Sequence, residues 1–394
     1  MNITQFKDHA YELQDQIVAW RRDFHKHPEL GFKEIRTSGI IAQILGQLGL
    51  EVHTGMAETG VVAELVGKTS GPTVLLRFDM DALPIQERNK VDYASVNAGV
   101  MHACGHDGHM AIGLAVASIL DRFREGIRGR VKFVFQPAEE ILGGAERMIK
   151  EGLLKKPAPD FCLALHLWNE KPEGWIGISV GPLMAGAEKF EITLTGKGGH
   201  GASPHQTVDP VFTSAQLITA LQSIVSRNLD PRESAVISVG QLEAGDTYNV
   251  IPEKAVLRGT VRTFEPHVRK LVLERLESVS LSIASTFGCA ADFKIESVSP
   301  PVVNEPRVTA IVQDAANELL PELDLDENVM TMVSEDMALI MQAIPGCYIL
   351  IGSQDAERGL NALHHNPYFD FKEAVLPKAA AILAAATWRI LERS

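Results

Sequence analysis

Apolar residues recur at spacings of three and four through Phe6, Ala10, Leu13, Ile17, Trp20 and Phe24, which predicts an amphipathic first helix. A second helix follows at Ile40, Ile41, Ile44, Leu45 and Leu48, with Thr37 or Ser38 as its cap. Short apolar runs at residues 61–66, 73–78, 131–135 and 161–165 read as strands, and residues 111–120 as a buried helix among them. This alternation predicts an α/β fold around a central mixed, largely parallel sheet.

The middle of the chain has a different rhythm. Residues 190–195 read as a strand, 209–226 as a helix with Pro210 in its first turn, 235–241 and 255–264 as strands, 266–287 as a long helix and 291–298 as a strand. Strand, helix, strand, strand, helix, strand is the order of a ferredoxin-like split βαβ unit. Pro300 and Pro301 punctuate the chain, and a helix at 308–320, a strand at 348–352 and a closing helix from about 371 to 391 complete it.

Charge and cysteine content narrow the function classes. Lys and Arg number 37 against 50 Asp and Glu, a net charge of −13, so the overall field does not favour nucleic acid or anionic lipid. The four cysteines are far apart and unpatterned, which excludes a disulfide-rich secreted scaffold and suits a reducing compartment. The first thirty residues show no secretory h-region, and no apolar stretch has membrane-spanning length. A cytoplasmic protein with no membrane partner is expected.

The candidate chemistry sits just beyond apolar strands. Residues 74–78 lead into Asp79-Met80-Asp81-Ala82-Leu83-Pro84, residues 131–135 into Gln136-Pro137-Ala138-Glu139-Glu140, and residues 161–165 into His166. The run at 348–352 is followed, after a loop, by His364-His365-Asn366-Pro367, and the mouth of a helix carries Met101-His102-Ala103-Cys104-Gly105-His106-Asp107-Gly108-His109. Ligands of open α/β sheets gather beyond the carboxyl ends of the strands, so these clusters should converge. Thiolate, imidazole and carboxylate together suit zinc or manganese. Each cluster alone has a plainer reading: a hydrogen-bonded His, a solvated helix start, a capping Asp, a small buried Cys. For His365 to join a site begun at Cys104, the chain must return to its first sheet after Pro301. That predicts a discontinuous catalytic domain, about 1–182 and 299–394, with an inserted lid or interface domain at about 183–298.

These motifs, with residues 21–31, 196–205 and Ser334-Glu335-Asp336, resemble the signatures of the M20 peptidase family over almost the whole chain. The most similar branch is the N-acyl-amino-acid amidohydrolases, which includes hippurate hydrolases, auxin-conjugate hydrolases and N-acetyldiaminopimelate deacetylases. The resemblance implies two divalent ions per subunit (Zn, Mn, Co or Ni), with Cys104, His106, Glu140, His166 and His365 as ligands and Cys104 bridging. It implies Glu139 as general base. It makes His200 the residue that stabilises the oxyanion in a partner subunit. Asn249 and Arg262 are candidates for the substrate's carboxylate, with a cross-strand salt bridge as the plainer reading of Arg262. The carboxypeptidase branch has a His where Asp79 stands, so Asp81 is expected to orient a ligand. Met337 stands where an aromatic residue is expected. The implied partner is a small N-acyl amino acid, and the implied assembly a homodimer or tetramer through the inserted domain. The rivals are a metal-dependent dipeptidase or carboxypeptidase of the same family, a hydrolase with Cys104 as nucleophile, and a non-catalytic metal-binding sensor or scaffold.

Overall fold

The computed structural model describes residues 3–393. They form two compact units, one of residues 3–183, 303–330 and 336–393, the other of Met184–Val302 and Thr331–Glu335.

The first unit is built on an eight-stranded mixed sheet. In chain order its first strands are β1 (Glu51–Met56), β2 (Gly60–Val66), β3 (Thr69–Asp79), β4 (Arg128–Gln136) and β5 (Phe161–Pro172). In space the order is β1-β2-β4-β3-β5, followed by Gly346–Gln354, Trp175–Gly177 and Asp324–Asp326. The pairs β4–β3, β3–β5 and β5 with Gly346–Gln354 are parallel, whereas β1–β2 and β2–β4 are antiparallel. The four central strands are thus parallel to one another, and Trp175–Gly177 with Asp324–Asp326 forms a further parallel pair. The four central strands point their carboxyl ends the same way and are buried without alternation over most of their lengths, as strands covered on both faces are.

Helix α4 (His106–Arg122) and the closing helix Val375–Arg393 are buried over most of their lengths. They pack on each other and on β3 and β4, with α1 (Thr4–Glu12), α2 (Gln14–Lys26) and α3 (Ile35–Gln47) outside them. Helix α5 (Gly144–Lys150) and Met337–Ala343 pair with one another over β4 and β5.

Three local expectations change. The predicted first helix is two, α1 and α2, which meet at Leu13; helical hydrogen bonds from Leu13 to His9 and from Ile17 to Leu13 carry across the junction. Thr37 and Ser38 are not caps but lie inside α3, because the remote Glu29 carboxylate accepts from the Arg36 and Thr37 amides. The closing helix begins at Val375, since Phe371 and Lys372 bond to Asp370 and Ser353 instead.

In the second unit the antiparallel strands lie in the order Ala235–Ala244, Lys254–Thr263, Gly186–Thr195, Ala290–Ser299. Helices Pro210–Ser223 and Pro266–Thr286 cover them, and Leu217, Leu221, Val272 and Leu276 share a core with Phe190, Ile192 and Leu257. Asp209 caps the first of these helices, accepting from the Val211 and Phe212 amides. Its last predicted residues, 224–226, belong instead to a π-helix, Ile224–Asn228. The segment Thr331–Glu335 joins this unit from far along the chain through hydrogen bonds from Ala185 to Thr331 and Val333.

One buried ion cluster ties the helices of the first unit together. Arg21 of α2 is fully buried and donates to Asp107 (2.8 Å), Asp370 (2.7 Å) and Glu373 (3.2 Å). Its guanidinium lies over the rings of Phe371 and Tyr93, and His25 shares Asp107 with it. Removing the cation leaves buried carboxylates uncompensated. Arg21→Met is expected to destabilise the unit by about 3–5 kcal/mol in chemical denaturation; a loss under about 1 kcal/mol, the range of exposed pairs, would show the cluster to be dispensable.

Candidate functional site

The central strands deliver their polar tails to one edge of the sheet. β3 ends at Asp79 and continues into Asp81, β4 ends at Gln136 ahead of Glu139 and Glu140, and β5 runs through His166. Gly105, with φ 92°, turns the chain from Cys104 into the first turn of α4, a left-handed conformation that glycine adopts freely. Ala138 (φ 54°) and His365 (φ 63°) hold the same conformation with a side chain, a strain of about 1–3 kcal/mol each that the surroundings must offset.

Two imidazoles are pinned by backbone carbonyls. His106 Nδ1 donates to the Asp81 carbonyl at 2.9 Å, and His166 Nδ1 to the Leu167 carbonyl at 2.7 Å. A ring that donates from Nδ1 presents the lone pair of Nε2 when neutral. His166 Nε2 lies 3.5 Å from Cys104 Sγ. His106 Nε2 is buried with no hydrogen-bond partner among the described residues, as is Oε1 of Glu140. Glu140 Oε2 lies 3.3 Å from His365 Nε2.

Ligand atoms of Cys104, His106 and His166 lie within 4.8 Å of one another, and so do those of Cys104, Glu140 and His365. The two trios share Cys104. His106 forms a further trio with Glu139 and Glu140. Cys104, His106, Glu139, Glu140, His166 and His365 are therefore brought together. His364 is not among them: its Nε2 donates to the Leu167 carbonyl at 2.9 Å and its ring lies against Trp168 and Phe369.

Asp81 touches the cluster from behind. Its carboxylate accepts from the Glu140 amide at 3.0 Å while its carbonyl holds His106, so it positions two of the converging residues. Beneath it, the buried Glu34 accepts from the Ala138 amide (3.1 Å) and from Thr59 Oγ1 (2.6 Å), which supports the strained turn before Glu139.

The electrostatics describe a crowded anionic pocket. Burial alone would lower the His106 pKa, but Asp79, Asp81 and Glu140 push it up to about 10. Burial and the neighbouring Glu140, Glu139 and Asp79 hold the Cys104 thiol well above its usual range. Burial and the adjacent His109 and His364 hold His166 neutral. Soft and borderline donors facing several carboxylates, with the buried His106 Nε2 and Glu140 Oε1 left without hydrogen-bond partners among the described residues, fit divalent cations, which would take the place of the His106 proton.

The second unit carries the other candidates. His200 stands opposite Val250 in a short ladder, its Nδ1 accepting from the Ala202 amide at 3.0 Å. The Gly201 amide bonds to the Asn249 carbonyl at 2.9 Å, so His200 and Asn249 are neighbours. Arg262, on Lys254–Thr263, is half-buried and donates to the Val261 carbonyl; it has no ion pair among the described residues, so the cross-strand salt bridge is absent.

Residues 75–389 match the model of Peptidase family M20/M25/M40. The chain belongs to this family. Among its relatives, an N-acetyl-L-cysteine deacetylase of Bacillus subtilis is 38% identical, over 96% of this chain and 89% of the relative. An N-acyl-L-amino acid amidohydrolase of Geobacillus stearothermophilus is 44% identical over 74% and 79%. A crystal structure of the Bacillus subtilis YXEP protein, described as a dinuclear metal-binding peptidase from the M20 family, superposes with a TM-score of 0.85 at 34% identity, over 97% of this chain and 99% of that one.

In this M20 chain the supporting residues Arg77, His109, Gln136 and Asp336 lie within the motifs read from the sequence but were given no role there, and Glu34 lies outside them. Arg77 is buried, donating to Gln136 (2.9 Å), Asp79 (2.7 Å) and Asp336 (2.9 Å). The available signal was a charged residue inside an apolar strand run, since a buried charge needs partners.

Glu34 yields a pH test. Burial raises its carboxyl from 4.5 to about 7, against the pull of the bonds from Thr59 and Ala138. Its folded pKa exceeds its unfolded one, so the folded state binds this proton more tightly, and stability falls as pH rises from about 4.5 through 7. Glu34→Gln keeps the shape and does not titrate. Its stability relative to wild type is expected to improve across that window; a difference flat with pH in urea titrations would refute the assignment.

Proposed function

We propose that this chain hydrolyses the amide bond of N-acyl amino acids, releasing a carboxylic acid and a free amino acid, with two divalent ions held by Cys104, His106, Glu140, His166 and His365. The observation that carries the reading is the pair of donor trios that share Cys104, served by imidazoles whose proton-bearing nitrogens are already engaged with backbone carbonyls. The names of the relatives, an N-acetyl-L-cysteine deacetylase and an N-acyl-L-amino acid amidohydrolase, support the substrate class, and the dinuclear metal-binding relative supports the ion count. Zinc, manganese, cobalt and nickel all suit this donor set.

When bound, the ions supply Lewis acidity toward the amide carbonyl and the attacking water. The residues do the rest. Glu139, beside Glu140 and largely buried, takes the water's proton and passes it to the departing nitrogen. Asp81 holds His106 and Glu140 in place for this. On the second unit, His200 offers its Nε2 proton to the oxyanion of a partner subunit's substrate. Asn249 and the unpaired Arg262 guanidinium recognise the free carboxylate. A Cys104 nucleophile fits poorly, because it leaves the Glu140 and His365 donors gathered beside the thiol without a role.

The second unit also supports assembly. The strand Ala235–Ala244 is an edge of its sheet, with Val236 and Leu242 exposed. Pairing of two such edges about a twofold axis makes a homodimer, or a tetramer by repetition. The four cysteines are buried free thiols, which suits the cytoplasm.

Metal content and turnover measured on one sample, over hippurate, acetyl- and indole-acetyl-amino acids, N-acetyldiaminopimelate and dipeptides, test the reading. Acyl-amino acids are expected to turn over, with activity lost to a chelator and restored by a divalent ion. Preference for dipeptides would move the chain to the peptidase branch. Glu139→Gln is expected to retain both ions and lose about 10²–10⁴-fold in turnover, whereas near wild-type rates would remove Glu139 as the base. Leu242→Lys is expected to give monomers in light scattering; an unchanged assembly would place the interface elsewhere.

A further inference from the structure

Of the three histidines in the Cys104 motif only His106 is a proposed ligand, yet His109 is fully buried one turn beyond it on α4. Its Nε2 accepts the Leu167 amide proton at 2.9 Å, and its Nδ1 lies 2.6 Å from Asp79 Oδ1. A ring nitrogen that accepts carries no proton, so the proton is on Nδ1 and is donated to Asp79. Both nitrogens are engaged with protein groups, and neither is left for a cation.

The peptide that His109 grips belongs to the residue after His166. The same Leu167 contributes the carbonyl that accepts from His166 Nδ1 at 2.7 Å and from His364 Nε2 at 2.9 Å. Three imidazoles thus converge on Leu167. The chain continues upstream: Asp79 is held by Arg77, and Arg77 by Gln136 and Asp336. A buried apolar residue at position 109 would fill the volume but leave the Leu167 amide and Asp79 Oδ1 without these partners.

We propose that His109 is a positioning residue for the metal centre: by accepting from the Leu167 amide, it fixes the carbonyl that sets the tautomer and the aim of His166. This rests on the reading of His166 as a ligand. The consequence is that loss of the Leu167 bond loosens one ion of the two, whereas loss of the Asp79 bond alone does so much less.

Two substitutions separate the bonds. Asn places an amide nitrogen where Nδ1 lies, so His109→Asn keeps a donor to Asp79 and loses the acceptor for Leu167. Gln places an oxygen where Nε2 lies, so His109→Gln keeps the acceptor for Leu167. Zn²⁺ affinity is read by competition with a chromogenic chelator, and coordination by the absorption spectrum of the Co²⁺-loaded protein, with folding checked by near-ultraviolet circular dichroism. His109→Asn is expected to weaken one of two ions by about 10- to 100-fold and to alter the Co²⁺ spectrum, while His109→Gln retains both ions and the spectrum. Wild-type affinity in His109→Asn, or equal losses in the two variants, would overturn the proposal. Should His109→Asn fail to fold, His109→Gln decides alone: retention of both ions supports the proposal and loss of one overturns it. A wild-type chain that binds no divalent ion would instead overturn the metal reading, and this inference with it.

Discussion

The carboxylate of Asp79 is wholly buried at the end of the central strand β3, and the arrangement around it follows from keeping that charge compensated. Arg77, two residues earlier on the same strand, supplies a guanidinium at 2.7 Å, and His109 a donor at 2.6 Å. Burial would raise the Asp79 pKa, but His106, His109 and Arg77 hold it well below the usual carboxylate range. An unpaired ion in such a place would cost several kcal/mol, so the neighbours cannot move independently. Arg77 in turn brings in Gln136 from β4 and Asp336 from the start of the helix Met337–Ala343. The platform beneath the cluster is thus a network of charges and amides, in which each group fixes the next.

On that platform the converging groups are held mainly by backbone. The carbonyls of Asp81 and Leu167 choose which nitrogen His106 and His166 present, and the Asp81 carboxylate fixes the Glu140 amide. Peptide groups in and next to sheet strands are stiffer than long side chains, so this places lone pairs with little loss of rotamer freedom on binding an ion. The left-handed Ala138 and His365 show the same economy of geometry: strain at two residues adjoining the cluster is offset by bonds from Ala138 to Glu34 and from His365 to the Ala103 carbonyl.

The sequence pattern revealed the parallel strands, the buried helix after Cys104 and the strand-helix order of the second unit, because apolar periodicity reports directly which faces are covered. It missed the Leu13 junction and the capping of α3, since both depend on bonds that local periodicity does not encode; Glu29 lies outside the helix it caps. Among the candidate residues, adjacency left His364 and His365 open on spacing alone, and only the resemblance favoured His365. In the fold, His364 turns to the Leu167 carbonyl and His365 to Glu140.

The residue types and spacings alone determined the chemistry on offer: a thiol and an imidazole two residues apart, paired carboxylates after a strand, and histidines directly after one further apolar run and a loop beyond another. They sufficed because donor chemistry belongs to the side chain and the strand ends share an edge by topology. Only the tertiary structure decided which nitrogen of each imidazole is free and which carboxylate supports rather than faces the cluster. It also decided that His109 serves Leu167 and Asp79 while His106 keeps an unpartnered nitrogen. Those outcomes depend on distances of a few tenths of an ångström between residues far apart in the chain, and hydrogen bonding selects among them only once burial has removed water as an alternative partner.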